Sequence, residues 1–178
     1  MAKLIIAALV LLAQLQAPPP AQDTVTEIRG LVQAKLWTQV DARLDALTVD
    51  DPAWERLPSV LYTAAIARQD LPSAVARLTR VASTTTKPSN KAAALIVVGR
   101  VYRRQGDFPA ATRVLKEAKA AAPGTSFAED ADGLIYEIEH LSPGLPAPAF
   151  SGKARNAGTI SLARLRGKPV VLVFWGST

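Results

Sequence analysis

The apolar positions of this chain change their spacing twice. They run almost unbroken from Leu4 to Leu15, recur three and four apart from Asp23 to Leu141, and run unbroken again from Pro169 to Trp175. The middle spacing is that of amphipathic helices, with almost no two-residue alternation, and predicts helix throughout. Breaks are predicted at Thr48 to Pro52, Gln69 to Pro72, Ser83 to Asn90, Gln105 to Pro109 and Ala122 to Gly124, where Pro, Gly or a capping side chain stands. A last helix is expected over Ser126 to His140. The final run, rich in β-branched and aromatic residues, predicts a strand buried on both faces, which needs neighbours along its edges.

The breaks are periodic. The clearest unit is Ala94 to Pro123, ALIVVGRVYRRQGDFPAATRVLKEAKAAAP. It resembles a tetratricopeptide repeat, with Leu95, Val98, Gly99, Tyr102, Gly106, Ala111, Leu115, Ala118 and Pro123 at that family's spacings. Each has a physical reason: Gly99 and Ala111 are small where two helices cross, Tyr102 and Leu115 fill the pair's interior, Gly106 turns the chain and Pro123 stops the second helix. Ala67 to Leu78 matches the same unit at an offset of 37, with Ala74 in the place of Ala111. A third unit lies 34 residues earlier, with Val40, Leu44, Leu47 and Pro52 at equivalent places. The resemblance implies a mainly α fold, a solenoid of about three helix pairs plus a capping helix over residues 22–141, and a protein or peptide as partner. A generic helical bundle is the simpler alternative.

The first apolar run follows Met1-Ala2-Lys3 and precedes APPPAQ. A short positive start, an apolar centre and a small, proline-rich break make residues 1–21 a secretory signal peptide, shorter than the roughly 20 apolar residues of a spanning helix. An uncleaved amphipathic or buried helix is the alternative. The expected mature protein is exported, periplasmic, and without a stable membrane span.

Charge adds little. Of the net +6, nothing arises between Gln22 and Leu141, where all fifteen acidic residues are matched by as many Lys and Arg. The excess is Lys3, Lys153, Arg155, Arg164, Arg166 and Lys168, with no aromatic-interleaved basic surface, so nucleic acid is not an expected partner. No residue is cysteine, which excludes disulfides, zinc thiolates and thiol chemistry within these residues.

Ser142 to Phe150, SPGLPAPAF, reads as a helix stop and a Pro-rich linker over 142–149. Beyond it a hairpin is expected around Asn156-Ala157-Gly158, one turn over Leu162 to Arg166, and then the final strand. This order resembles the opening of thioredoxin-like domains of the TlpA and ResA type, relatives of the redoxin and alkyl hydroperoxide reductase group. The residues that carry the likeness are Gly144, Pro146, Ala147, Pro148, Phe150, Gly158, Ser161, Leu162, Leu165, Gly167, Lys168, Pro169, Val171, Leu172, Phe174 and Trp175. It implies that residues 150–178 are the first β elements of an incomplete thioredoxin-like α/β domain. Phe174, Trp175, Gly176, Ser177 and Thr178 would be the lip of its active site, and a Cys-x-x-Cys pair is expected immediately afterwards. Thr178 departs from the family, which commonly has Trp there.

The implied function is thiol-disulfide exchange on extracytoplasmic proteins, with the helical unit positioning a partner, no cofactor, and no activity in these cysteine-free residues. Two alternatives stand beside it: a peroxiredoxin-like peroxidase, against which Phe174-Trp175 argues, and a non-enzymatic peptide-binding repeat. Other chemistry finds little footing. Arg100, Arg103 and Arg104 read as a cationic stripe at a helix C-terminus or as a clamp for acidic ligands. His140, the only histidine, fits a last-turn role better than a metal ligand, and Glu129, Asp130 and Asp132 fit the positive end of a helix dipole. Past about Leu145 the chain should aggregate or lack order while the helices fold. Sharp protease resistance over Val170 to Trp175 would contradict that expectation.

Overall fold

The computed structural model describes residues 21–154 and 158–173. Among these described residues seven α-helices follow one another: α1 Ala21–Gln33, α2 Trp37–Asp45, α3 Leu57–Arg68, α4 Leu71–Thr84, α5 Pro88–Arg104, α6 Phe108–Ala121 and α7 Ser126–His140. A 3-10 helix, Pro52–Glu55, interrupts the connection from α2 to α3. Two strands follow, β1 Ser151–Ala154 and β2 Gly158–Ser161, and a second 3-10 turn, Leu162–Leu165. The chain divides into two compact units, Met1–Ile135 and Tyr136–Thr178, the boundary falling within α7.

The helical unit is a threefold recurrence at the level of the backbone. The second helix of each pair starts at Trp37, Leu71 and Phe108, separations of 34 and 37 residues. At the same separations lie Lys35, Gln69 and Gly106, whose φ values of 56°, 56° and 81° are left-handed. Each N–H bonds back three residues, to the carbonyls of Val32, Ile66 and Arg103. The N–H of the next residue bonds back five, Leu36 to Leu31, Asp70 to Ala65 and Asp107 to Tyr102, at 3.0, 2.9 and 2.9 Å. This pair of bonds is the Schellman motif, which satisfies the last carbonyls of a helix while turning the chain sharply. In the second and third units the turn then starts the next helix. The carboxylates of Asp70 and Asp107 accept the N–H of Ser73 and Ala110, and Pro72 and Pro109 occupy the first helical turn, where no N–H is missed.

The core gathers around α5. Asn90, the run Ala92 to Gly99, and Val101 are all buried, so this helix is enclosed on every side over more than two turns. It packs most extensively on α6, then on α4, and also on α3 and the 3-10 helix. The approach of α6 depends on Gly99: a Cβ there would lie 2.7 Å from both Cγ and Cδ2 of Leu115, itself fully buried. The 3-10 helix contributes Trp54, 2% exposed, whose indole N–H donates to the carbonyl of Thr48 at 2.9 Å. Asn90 holds the same connection from below, its amide nitrogen donating to the carbonyls of Val49 and Asp51 at 3.1 and 3.0 Å.

In the second unit β1 and β2 form an antiparallel hairpin, with Ser151 opposite Ser161 and Ala154 opposite Gly158. The Leu162 N–H continues the ladder to the Phe150 carbonyl at 3.0 Å. The final strand expected from Pro169 does not form over 169–173: these residues take no regular structure, and Val171 and Val173 are 84% and 67% exposed. A strand exists only through hydrogen bonds to a neighbour, and among the described residues β1 and β2 pair only with each other.

The three turn positions differ in chemistry at equal geometry, which yields opposite mutational signs. Left-handed backbone costs an ordinary residue about 1–2 kcal/mol, against about 0.5–1 kcal/mol of extra unfolded-state entropy for glycine. Gln69→Gly should therefore stabilise by about 0.5 kcal/mol, whereas Gly106→Ala, with open space around it, should destabilise by about 1 kcal/mol. Urea unfolding followed by helical circular dichroism reads both.

Candidate functional site

The pairing of helices is uneven. α4 packs closely on α5, but α2 stands off from α3 and α4, leaving a cleft of about 390 Å³. Its floor is apolar, with Val40 and Leu44 from α2, Leu61, Ala64 and Ala65 from α3, and Ala74 from α4. Its rim is charged. The Arg68 guanidinium donates to Asp41 at 3.0 Å and lies 5.7 Å over the Trp37 ring, and Arg77 donates to Asp45 at 2.6 Å. The hydrogen bond to Asp41 raises the pKa of Arg68 further above its already high value, and the charges of Asp41 and Asp70 add to this. These are partly exposed pairs, each worth about 0–1 kcal/mol. They span the cleft and do not fill it. Arg80, one turn beyond Arg77, completes the α4 wall and is exposed.

Asp70 belongs to both rim and helix cap. Hydrogen bonds from the Ser73 hydroxyl and N–H, with the charge of Arg68, hold its carboxyl below the ordinary value. A second depressed carboxyl, Asp50, joins two loops. It accepts from the Thr85 hydroxyl at 2.7 Å, the Thr86 N–H at 2.7 Å and the Thr86 hydroxyl at 2.9 Å, with Lys87 nearby.

The residues singled out by sequence fall in several places. Gly99 and Tyr102 lie on α5, Gly106 in the turn, and Ala111, Leu115 and Ala118 on α6 with all three at 0% exposure; Pro123 stands exposed just past α6. Gly99, Ala111, Leu115 and Ala118 belong to the α5–α6 interface, which is packing and not a reactive site, whereas Gly106 and Pro123 are exposed and Tyr102 is only half-buried and does not fill the pair's interior as expected. Arg100, Arg103 and Arg104 occupy the last turns of α5. His140 ends α7, its ring 4.5 Å from that of Tyr136, and Glu129, Asp130 and Asp132 lie in the first half of α7, where Asp132 pairs with Lys119. No group of three potential metal-ligating side chains occurs among the described residues. The expected active-site lip, Phe174 to Thr178, and the signal peptide, apart from its last residue, Ala21, lie outside the described residues. Among the described residues no helix is long and apolar enough to cross a membrane.

No family model, curated protein or solved structure matches this chain.

Sequence reasoning did not find the cleft or its ion pairs. Arg68 and Arg77 look like solvated helix charges, and only the offset of the repeats, which stacks α2 beside α4, could have set them opposite Asp41 and Asp45. It also missed the turn at Lys35, where no Gly or Pro marks the break.

The depressed carboxyls fix an acid dependence. Asp50 and Asp70 have folded pKa values below the ordinary 3.8, so the unfolded chain binds their protons first. Their stabilisation is complete above about pH 5 and is lost as pH falls through the folded values. The urea midpoint should drop between about pH 5 and pH 3, and drop less in the double variant Asp50→Asn, Asp70→Asn, whose amides do not titrate.

Proposed function

We propose that this chain belongs to an exported thiol-disulfide oxidoreductase of the TlpA and ResA type, in which a tetratricopeptide-like helical unit binds a protein partner. The observation that carries the helical half is the Schellman turn repeated at Lys35, Gln69 and Gly106, because a generic bundle has no reason to repeat one turn at the spacing of its sequence units. For the second half the support is the hairpin, the following 3-10 turn and the left-handed Gly158 and Gly167, which stand in the order of a thioredoxin-like opening. The likeness in sequence runs on through Lys168, Pro169 and Phe174-Trp175.

In such a protein a strand delivers the thiol pair to a helix N-terminus. There the dipole and backbone N–H groups lower the attacking thiol's pKa, and exchange proceeds through a mixed disulfide. Those thiols come from outside these 178 residues, none of which is cysteine. The role of the residues in hand is to be exported, through Leu4 to Ala13, and to hold the partner.

The reading frame that encodes these residues decides the redox half. Two cysteines separated by two residues directly after codon 178 are the expected finding. A lone cysteine would make the protein a peroxidase instead, and the absence of any cysteine would leave a binding repeat alone. The 178-residue chain should reduce no insulin disulfide with dithiothreitol as donor beyond the blank.

A further inference from the structure

We propose that α2 is a strap that ionic strength opens: residues 37–47 leave the faces of α3 and α4 as one unit, while both ends of the segment and the core around α5 stay in place. This opening belongs to the helical unit alone and requires no redox chemistry elsewhere.

By its own sequence α2 is a poor helix. It has nine residues, WTQVDARLD, where an isolated helix needs about 12–15 to be even marginal. No side chain caps its first turn, and no acidic residue stands there to meet the dipole. Asp41 and Asp45 are four apart, so they repel along one face, and Asp45 sits at the negative end of the helix. What offsets this comes from other helices. Arg68 of α3 reaches Asp41, Arg77 of α4 reaches Asp45, and Arg43 of α2 reaches Glu27 of α1, at 3.0, 2.6 and 2.8 Å. The three carboxylates are 41–65% exposed, so dissolved ions screen every one of these pairs. Apolar anchoring is confined to Val40 and Leu44, the buried residues of α2.

The ends of the segment are held by bonds of another kind. Before α2, the Leu36 N–H bonds to the Leu31 carbonyl at 3.0 Å and closes the turn at Lys35. After it, the Asn90 amide holds the carbonyls of Val49 and Asp51, the Trp54 indole holds that of Thr48, and Asp50 accepts from Thr85 and Thr86. None of these donors carries a charge, so salt weakens them far less than an ion pair. The opening is therefore bounded on both sides. It uncovers Leu61 and Ala65 of α3 and Ala74 of α4, which line the cleft together with Val40 and Leu44. A segment with few buried contacts, lying outside the enclosed core, opens locally at less cost than the whole unit unfolds.

The test is amide hydrogen exchange of the full 178-residue chain, resolved by residue in nuclear magnetic resonance, at about 20 mM and about 500 mM sodium chloride. The amides of Val40 to Ala46 should lose protection about tenfold at the higher salt, the scale of three exposed pairs weakened together, while Val97 and Val98 in α5 keep theirs. In the double variant Arg68→Gln, Arg77→Gln, α2 should exchange fast already at low salt, and salt should accelerate it by no more than about threefold. Adding Asp41→Asn and Asp45→Asn to that variant should slow α2 again, because the like-charge pair is gone, an effect that damage to the fold would not produce. Exchange of α2 that ignores salt, an equal change in α2 and α5, a double variant that keeps the tenfold response, or a fourfold variant no slower than the double one would each overturn the strap.

Discussion

Helix α5 is enclosed on every side over Ala92 to Gly99, and the helical unit is arranged around that enclosure. A helix with no solvent face cannot carry charge through its middle and must be approached closely from several directions. The sequence answers with AAALIVVG, small residues first and a glycine last. Gly99 lets the Leu115 side chain rest where a methyl would otherwise stand, which brings α6 in at its tightest contact. Asn90 and Trp54 turn the long connection after α2 into a lid, one by donating to its carbonyls, the other by filling the space beneath it. Each Leu, Ile or Val side chain so buried contributes about 1.5–3 kcal/mol, more than the worth of any exposed ion pair in the unit.

That arrangement explains why the three helix pairs are not equivalent. α5 draws α4 and α6 onto itself, and nothing of comparable apolar content draws α2 toward α3 and α4. α2 is nine residues long, with Val40 and Leu44 as its buried residues, and ion pairs hold its outer side. The cleft is the consequence of one well-filled interface and one that is bridged by charge. Its rim pairs weaken with salt, whereas the α5–α6 contact does not, so the two halves of the unit answer differently to the same solution change.

How much of this could be read in advance differs from feature to feature. The break at Gln105 to Pro109 was legible because Gly106 is free to be left-handed and Asp107 caps the next helix. The equivalent turns were harder in proportion to what they lacked: Gln69 kept the Asp and Pro that follow it, while Lys35 kept neither, and backbone hydrogen bonds from its own and the next N–H close its turn with no side chain to announce it. α7 was legible to the residue, since Pro123-Gly124 ends what precedes it and Ser142-Pro143 ends the helix itself. The cleft was not, because ion pairs 27 and 32 residues apart depend on the stacking of units and leave no local mark.

The same contrast separates the two kinds of structure in the chain. A helix closes its hydrogen bonds within four residues, so the pattern of one short stretch decides whether it forms. A strand closes them on whatever lies beside it. Ser151–Ala154 and Gly158–Ser161 find each other because a short turn joins them, and their hairpin alone is a marginal structure. Val170 to Val173 carry the side chains of a buried strand and stand exposed, from 41% to 84%, and Phe150 and Ile160 are exposed as well. Apolar content without an edge to bond to does not make a strand. The composition of VVLV states what the segment would do in a sheet, and the hydrogen-bond ladder, which belongs to no single segment, decides whether it does so.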